Sequence, residues 1–139
     1  MQSTEYCCIA THGEEGVWAN PVFFAWDERY NLFFISQMHS QHMQNIVGNT
    51  SISVAIYSTQ QKGDVAGIQL EGTAHILESK EESEAAAKIY YARASGEDTD
   101  HYTHDPSWLF VKITSKHLYY FDTRFFGEER QEVPLSLID

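Results

Sequence analysis

No run of eighteen apolar residues occurs anywhere in the 139-residue sequence, which argues against a helix built to span a membrane. The opening stretch, MQSTEYCCIATHGEEG, has neither the basic start nor the uninterrupted apolar core of a signal peptide, so a cytoplasmic protein is expected. Cysteine is limited to Cys7 and Cys8. Adjacent side chains on a strand point to opposite faces, so this pair makes neither a disulfide framework nor a spaced metal site. One buried small hydrophobe and one bystander are expected. Positive charge is scarce too: nine Lys and Arg against twenty Asp and Glu leave a formal net charge of −11. Such a chain repels phosphate backbones and anionic lipid at long range, which argues against nucleic-acid and membrane partners.

Catalytic signatures are also missing. There is no glycine-rich phosphate loop, no GxSxG elbow and no paired carboxylate in a defined context. The seven histidines follow no HxxxH or CxxC spacing: His39 and His42 flank a helix start, and His101 and His104 lie in a polar loop. No metal site is expected. The most informative absence is local. From Tyr30 to Gln61 there is no Asp, Glu, Lys or Arg, although 32 residues at 21% charged should carry about seven. That stretch is expected to be buried, paired with another chain or wrapped around a ligand.

What is present reads mostly as strand, in a single domain over 1–139. A strand over 4–12 joins the aromatic-rich run Val17 to Trp26 through GEEG, as a hairpin. Pro21 inside that run cannot donate to a ladder, so the strand should be an edge or carry a bulge. Leu32 to Ser36 follows, then a two-turn helix from Ser40 to a Gly48-Asn49 stop. Thr50 to Tyr57 and Gly67 to Leu77 alternate, with a turn at 60–64. Ser79 and Glu82 make a capping box for a helix reaching Arg93, with Ala85, Ile89 and Ala92 on its apolar face. Gly96 to Pro106 reads as a loop, and Trp108 to Ile113 and Leu118 to Phe121 as a last pair of strands. About six to seven short strands with two inserted helices indicate a mainly β, antiparallel barrel or sandwich.

Chemistry concentrates in 36–47, SQMHSQHMQNIV, where a strand gives way to a helix with free N–H groups, two hydroxyls and two imidazoles. Two readings stand on this segment alone. It is an anion site, phosphate above all, or Ser40 is a plain cap and His39 and His42 face solvent or a second copy.

Three strings then carry a likeness to a known family: CCIATHGEEGVWANPVFFAWDERYNLFFIS, SQHMQNI at 40–46 and GIQLEGTAHIL at 67–77. With PSWLFVKIT, they resemble the pyridoxamine-phosphate-oxidase-like FMN-binding split barrels over Tyr6 to about Phe121. The resemblance implies a split β-barrel working as a homodimer, with FMN at the subunit interface and a small-molecule substrate. It places Asn20, Pro21 and Val22 on the strand passing over the flavin, with Ser36 ending the third strand. It puts His39, Ser40 and His42 in the phosphate segment, where His42 takes the place usually held by Lys or Arg. Gln69 is then the flavin contact, and Trp108 the aromatic brought to the partner's flavin. A phosphate beside His42 would raise its pKa; Lys62 or Arg124 is the alternative cation. In such a protein the cofactor carries the electron chemistry, which accounts for the missing catalytic motif. Two other readings compete: a dimeric ligand- or protein-interaction module without tight flavin binding, and a haem-binding split barrel with His39, His42, His75 or His117 at the iron.

Overall fold

The computed structural model describes residues 1, 3–61, 63–94 and 105–137. Eight strands form one antiparallel sheet: β1 (Tyr6–Gly13), β2 (Gly16–Phe23), β3 (Ala25–Trp26), β4 (Leu32–Gln37), β5 (Ser51–Gln61), β6 (Asp64–Ile76), β7 (Trp108–Asp122) and β8 (Arg130–Glu132). Helices α1 (Gln41–Gly48) and α2 (Lys80–Arg93) are inserted between strands, and a single turn, α3 (Thr123–Phe126), follows β7. Among the described residues no helix is long and apolar enough to cross a membrane.

The strand order is β2-β1-β5-β6-β7-β4-β3, with β8 beside β7. Its two ends, β2 and β3, are one continuous run of chain interrupted only at Phe24. The sheet therefore closes on itself, and Phe24, fully buried, sits at the corner. The sequence expectation of one strand over Val17 to Trp26 is corrected here: the run changes partners midway. Its Gly16–Phe23 half is an edge paired only with β1 and carries no bulge at Pro21, which lies opposite Cys8.

The inside of the barrel follows the period of two. Cys7, Ile9 and Thr11 point inward from β1, as do Ile52, Val54 and Ile56 from β5, and all are nearly inaccessible. Each large aliphatic side chain so buried contributes about 2 kcal/mol. The pair of strands expected over 108–121 is instead one long strand. Lys116 is an extra residue, since Glu71 pairs His117 while Gly72 pairs Ser115, and this bulge absorbs the polar TSKH stretch without breaking the strand.

Helix α2 covers the outer face of β3, β4 and β7. Its start is as expected: Ser79 Oγ accepts from the Glu82 N–H at 3.2 Å. Its fully buried residues are Ala86 and Tyr90; of the expected apolar face only Ile89 packs beside them, and Ala85 and Ala92 are exposed. The aromatic decides the rotation, because Tyr90 packs edge-on against Phe23 and Phe110, with centroids at 5.3 and 5.6 Å. At its end, Arg93 places its guanidinium 4.5 Å from the Phe24 ring and 4.4 Å from Trp26, and donates to the carbonyls of Phe24 and Thr4. That side chain ties helix, N-terminal segment and barrel corner together.

The outer face formed by β1, β2 and β5 is uncovered among the described residues. Its outward positions are Tyr6, Cys8, Ala10 and His12 on β1, Val17, Ala19 and Pro21 on β2, and Ser51, Ser53, Ala55 and Tyr57 on β5, while Phe23 at the end of β2 packs under Tyr90 of α2. None is a Lys, Arg, Asp or Glu. The loop expected over 96–106 lies, up to 104, outside the described residues, as do Lys62, His101 and His104.

Candidate functional site

Strand β4 delivers Ser36 at the end of its inward row Leu32, Phe34, Ser36, and the chain then turns into α1. Ser40 holds that turn, its backbone N–H and its hydroxyl both donating to the Gln37 carbonyl, at 3.0 and 2.7 Å. Its hydroxyl makes no capping bond to the helix, which corrects the expectation that Ser40 caps α1 through its side chain. The first-turn N–H groups therefore receive no acceptor from the Ser40 side chain at the positive end of the helix dipole.

His42 turns inward from this first turn and is 8% exposed. Its Nε2 lies 2.7 Å from Ser36 Oγ and 3.3 Å from Ser40 Oγ, and the two hydroxyl oxygens are 3.3 Å apart. Burial lowers the His42 pKa below the ordinary histidine value, which favours its neutral form in the protein alone. His39 is exposed at the turn.

The rest of the 40–46 string anchors the helix. Asn45 Nδ2 donates to Thr11 Oγ1 at 3.0 Å, and Asn45 Oδ1 accepts from Gln41 Nε2 at 2.9 Å. Gly13 makes room, because a Cβ there would overlap the Asn45 amide. Met43 and Ile46 join the barrel core. The segment thus docks one helical face and leaves its N-terminal donors at the end of the barrel.

Asn20 and Val22 lie opposite Ile9 and Cys7, on the inward side of the edge strand, whereas Pro21 faces out. Asn20 Oδ1 is buried and accepts no hydrogen bond among the described residues. Gln69 is elsewhere. It shares an outward row with Pro21, Cys8, Ala55 and Tyr119, about 14 Å from Pro21 at three strand spacings. Trp108 opens β7 opposite Gln37, at the α1 end. One chain therefore brings Ser36, Ser40 and His42 into contact and keeps Gln69 on another face.

Around Gln69 is a shallow concavity lined by Cys8, Ala10, Ser53, Ala55, Tyr119 and Arg130, together with Glu71. Arg130 sits 3.9 Å over the Tyr119 ring and donates from Nη1 to Gln69 Oε1 at 3.0 Å. Sequence reasoning missed Arg130, which lies in the tail beyond any recognised string. It also missed the cluster at the other end of the barrel. There, buried Asp122 accepts from Arg124 Nε and Nη2, at 3.0 and 2.7 Å, and from Tyr120 Oη at 3.1 Å. These bonds hold the Asp122 carboxyl down to about 2. A cavity of about 250 Å³ adjoins Arg124, between β5, β6 and the N-terminal segment. Arg124 is thus paired with a carboxylate, far from Ser36.

The family model for pyridoxamine 5'-phosphate oxidase matches residues 1–122. The chain belongs to that family. Solved structures agree on the fold. A haem-binding protein from Mycobacterium smegmatis superposes with a TM-score of 0.79 at 18% identity, over 98% of this chain and 55% of its own. A conserved hypothetical protein from Mycobacterium tuberculosis gives 0.74 at 19%, over 96% and 86%. A haem storage protein from Vibrio cholerae gives 0.71 at 15%, over 84% and 86%. This chain thus spans little more than half the length of the first of these. At such identities the likeness is one of fold. Curated proteins compared by sequence gave no match.

Proposed function

We propose that this chain is a cytoplasmic flavoprotein subunit that holds FMN between two copies of itself and presents it to a small-molecule substrate. The observation that carries the reading is the cluster of Ser36, Ser40 and His42 at a helix start without a side-chain cap. Within the pyridoxamine 5'-phosphate oxidase family, that is the place where the resemblance puts the cofactor phosphate. The residues fit the group's hydrogen-bonding needs. Backbone N–H groups and the Ser36 hydroxyl serve a phosphate, and the buried Oδ1 of Asn20, without a partner among the described residues, is an acceptor for a donor group. The neutral outer face of β1, β2 and β5 is suited to a second copy, since a chain of net charge −11 repels its twin least through an uncharged face. That copy would supply Gln69, which one chain keeps away from the phosphate end.

When bound, the flavin supplies electron or hydride transfer, and the protein's part is to bind, orient and exclude water. The first-turn amides and Ser36 fix one end, the edge strand around Asn20 and Val22 lines the path, and Gln69 of a second copy closes it. A haem reading is favoured by the two haem proteins among the similar structures. For iron, His39, His75 or His117 is a better ligand than His42, whose Nε2 is engaged by Ser36.

Visible spectra of purified protein, before and after incubation with FMN and desalting, test both readings. A retained flavin spectrum near one FMN per chain is expected. A colourless protein holding no flavin overturns the proposal, and a haem band moves it to the second reading.

A further inference from the structure

We propose that the end of the barrel away from α1 is a second ligand site, which takes a small organic amine with its apolar body inside and its ammonium group at Asp64. The site is independent of the flavin reading. It is the cavity of about 250 Å³ beside Arg124, a volume suited to a small metabolite, and the mouth of a barrel is a common place for such a pocket. Asp122, at this end of β7, is roughly 40 Å of strand from Leu109, the partner of Ser36. The inner wall is apolar. Ile56 and Ile68 pair across β5 and β6 and belong to the barrel core, and Ala66 continues their row opposite Ser58. Ser3 and Thr4 line the other side.

Charge decides the polar head of the ligand. Among the described residues two charged side chains line the cavity, Asp64 and Arg124. Arg124 is already balanced: its Nε, Nη2 and backbone N–H all donate to the buried Asp122 carboxylate, at 3.0, 2.7 and 3.0 Å. Asp64 has no ion-pair partner among the described residues. An anion entering the cavity would therefore meet an uncompensated carboxylate beside a neutralised guanidinium, whereas a cation restores the balance. The net charge of −11 draws cations to the same mouth. Proton accounting agrees. Tyr120 spends its hydroxyl proton on Asp122 Oδ2 at 3.1 Å, so toward the cavity its oxygen can only accept, and an ammonium group only donates. The Tyr120 ring is held edge-to-face with Phe126, centroids 6.0 Å apart, and with Tyr57 it gives the cavity the aromatic lining that suits an ammonium ion.

The test is an amide chemical-shift titration of isotope-labelled protein with three compounds of one body, phenethylamine, 2-phenylethanol and 3-phenylpropionate. The amine is expected to shift the amides of Ala66, Gly67 and Ile68 and to bind more tightly than the alcohol or the acid. Asp64→Asn should weaken the amine by about tenfold, the loss of one charge-assisted hydrogen bond, and leave the alcohol unchanged. Lys62, on the β5–β6 turn, lies outside the described residues, so Lys62→Ala is the second variant: amine affinity kept or raised supports an unpaired Asp64, and amine affinity lost overturns the site. An acid that binds as tightly as the amine, an unchanged amine affinity in Asp64→Asn, or no shift at these amides with any of the three overturns the inference. Displacement of the amine by FMN assigns the cavity to the flavin and overturns it too, while amine binding that FMN leaves unchanged supports a separate site.

Discussion

Asn45→Ala separates a residue that builds the site from one that touches a ligand. The Asn45 side chain makes two hydrogen bonds, to Thr11 at 3.0 Å and from Gln41 at 2.9 Å, and both Asn45 and Thr11 are nearly inaccessible. A neutral hydrogen bond contributes about 1 kcal/mol net, and stranding a buried hydroxyl costs about 1–3 kcal/mol more. The Gln41 bond is nearer the surface and adds little. The sum is a destabilisation of about 2–4 kcal/mol, which in a chain of this length is a fall in Tm of about 8–16 °C. Urea unfolding followed by circular dichroism, on protein without ligand, measures it. Thr11→Val supplies the second arm of a double-mutant cycle, with an expected coupling of about 1 kcal/mol. Gly13→Ala should act in the same direction, because its methyl displaces the same amide. A loss below about 0.5 kcal/mol for Asn45→Ala without ligand, appearing only when phosphate or FMN is added, would refute the structural role.

Arg93→Met should lower stability by about 2 kcal/mol, the cost of two charge-assisted bonds and the ring contacts less the apolar stem that methionine keeps, read from the same urea curves. The Asp122 carboxyl, held down to about 2 by Arg124, contributes stability that is complete above the unfolded carboxylate range and lost as pH falls from about 4 through 2. Asp122→Asn should flatten that part of the pH–stability profile. The buried Cys7 thiol is pushed up to about 12, chiefly by burial, so native protein should react at no more than one thiol per chain, Cys8, until it is unfolded. Two rapidly reacting thiols would contradict the packing of β1.

The parts of the fold legible in the sequence are those where a single local signal has no competitor. TSISVAIY alternates strictly and becomes β5, Ser79 and Glu82 mark the start of α2, and Pro21 marks an edge. The barrel corner at Phe24 was not legible. The run GVWANPVFFAW contains no turn residue at that point, and what breaks it is the change of partner from β1 to β4. The continuity of β7 was hidden for the converse reason: TSKH reads as a turn, and only the pairing with β6 shows that Lys116 is a bulge. In the site, the string SQHMQNI was visible but its division of labour was not. Asn45, inside that string, is an anchor for α1, while Ser40 looks like a cap and instead braces the preceding turn. Arg130 had no local signal at all, since its significance comes from a partner 61 positions away.

The Ser36–His42 pair gives the phosphate end a dependence on pH whose sign follows from proton counting. Ser40 spends its hydroxyl proton on the Gln37 carbonyl, and with the neutral imidazole protonated at Nδ1 the short 2.7 Å contact is Ser36 donating to His42 Nε2. The hydroxyl that should serve an anion is then turned inward. Protonation of His42 reverses the bond: Nε2–H donates to Ser36 Oγ, the Ser36 proton is released toward the helix start, and a positive charge appears behind it. Burial lowers the His42 pKa in the free protein, whereas an adjacent phosphate favours the charged form, so phosphate binding draws in a proton. FMN affinity should therefore rise as pH falls from above the bound-state pKa toward the free-state one, by at most tenfold per pH unit for one proton. Without ligand the effect has the opposite sign. A depressed histidine pKa contributes stability above the unfolded value of about 6.5, and that stability is lost as pH falls through the folded pKa. His42→Gln should flatten both curves, and fluorescence titration of FMN between about pH 5.5 and 8.5, bracketing the reference histidine pKa, reads the first. Affinity that is flat across that range in wild type would show that no proton accompanies the phosphate and that His42 serves only to pack α1 against Phe34.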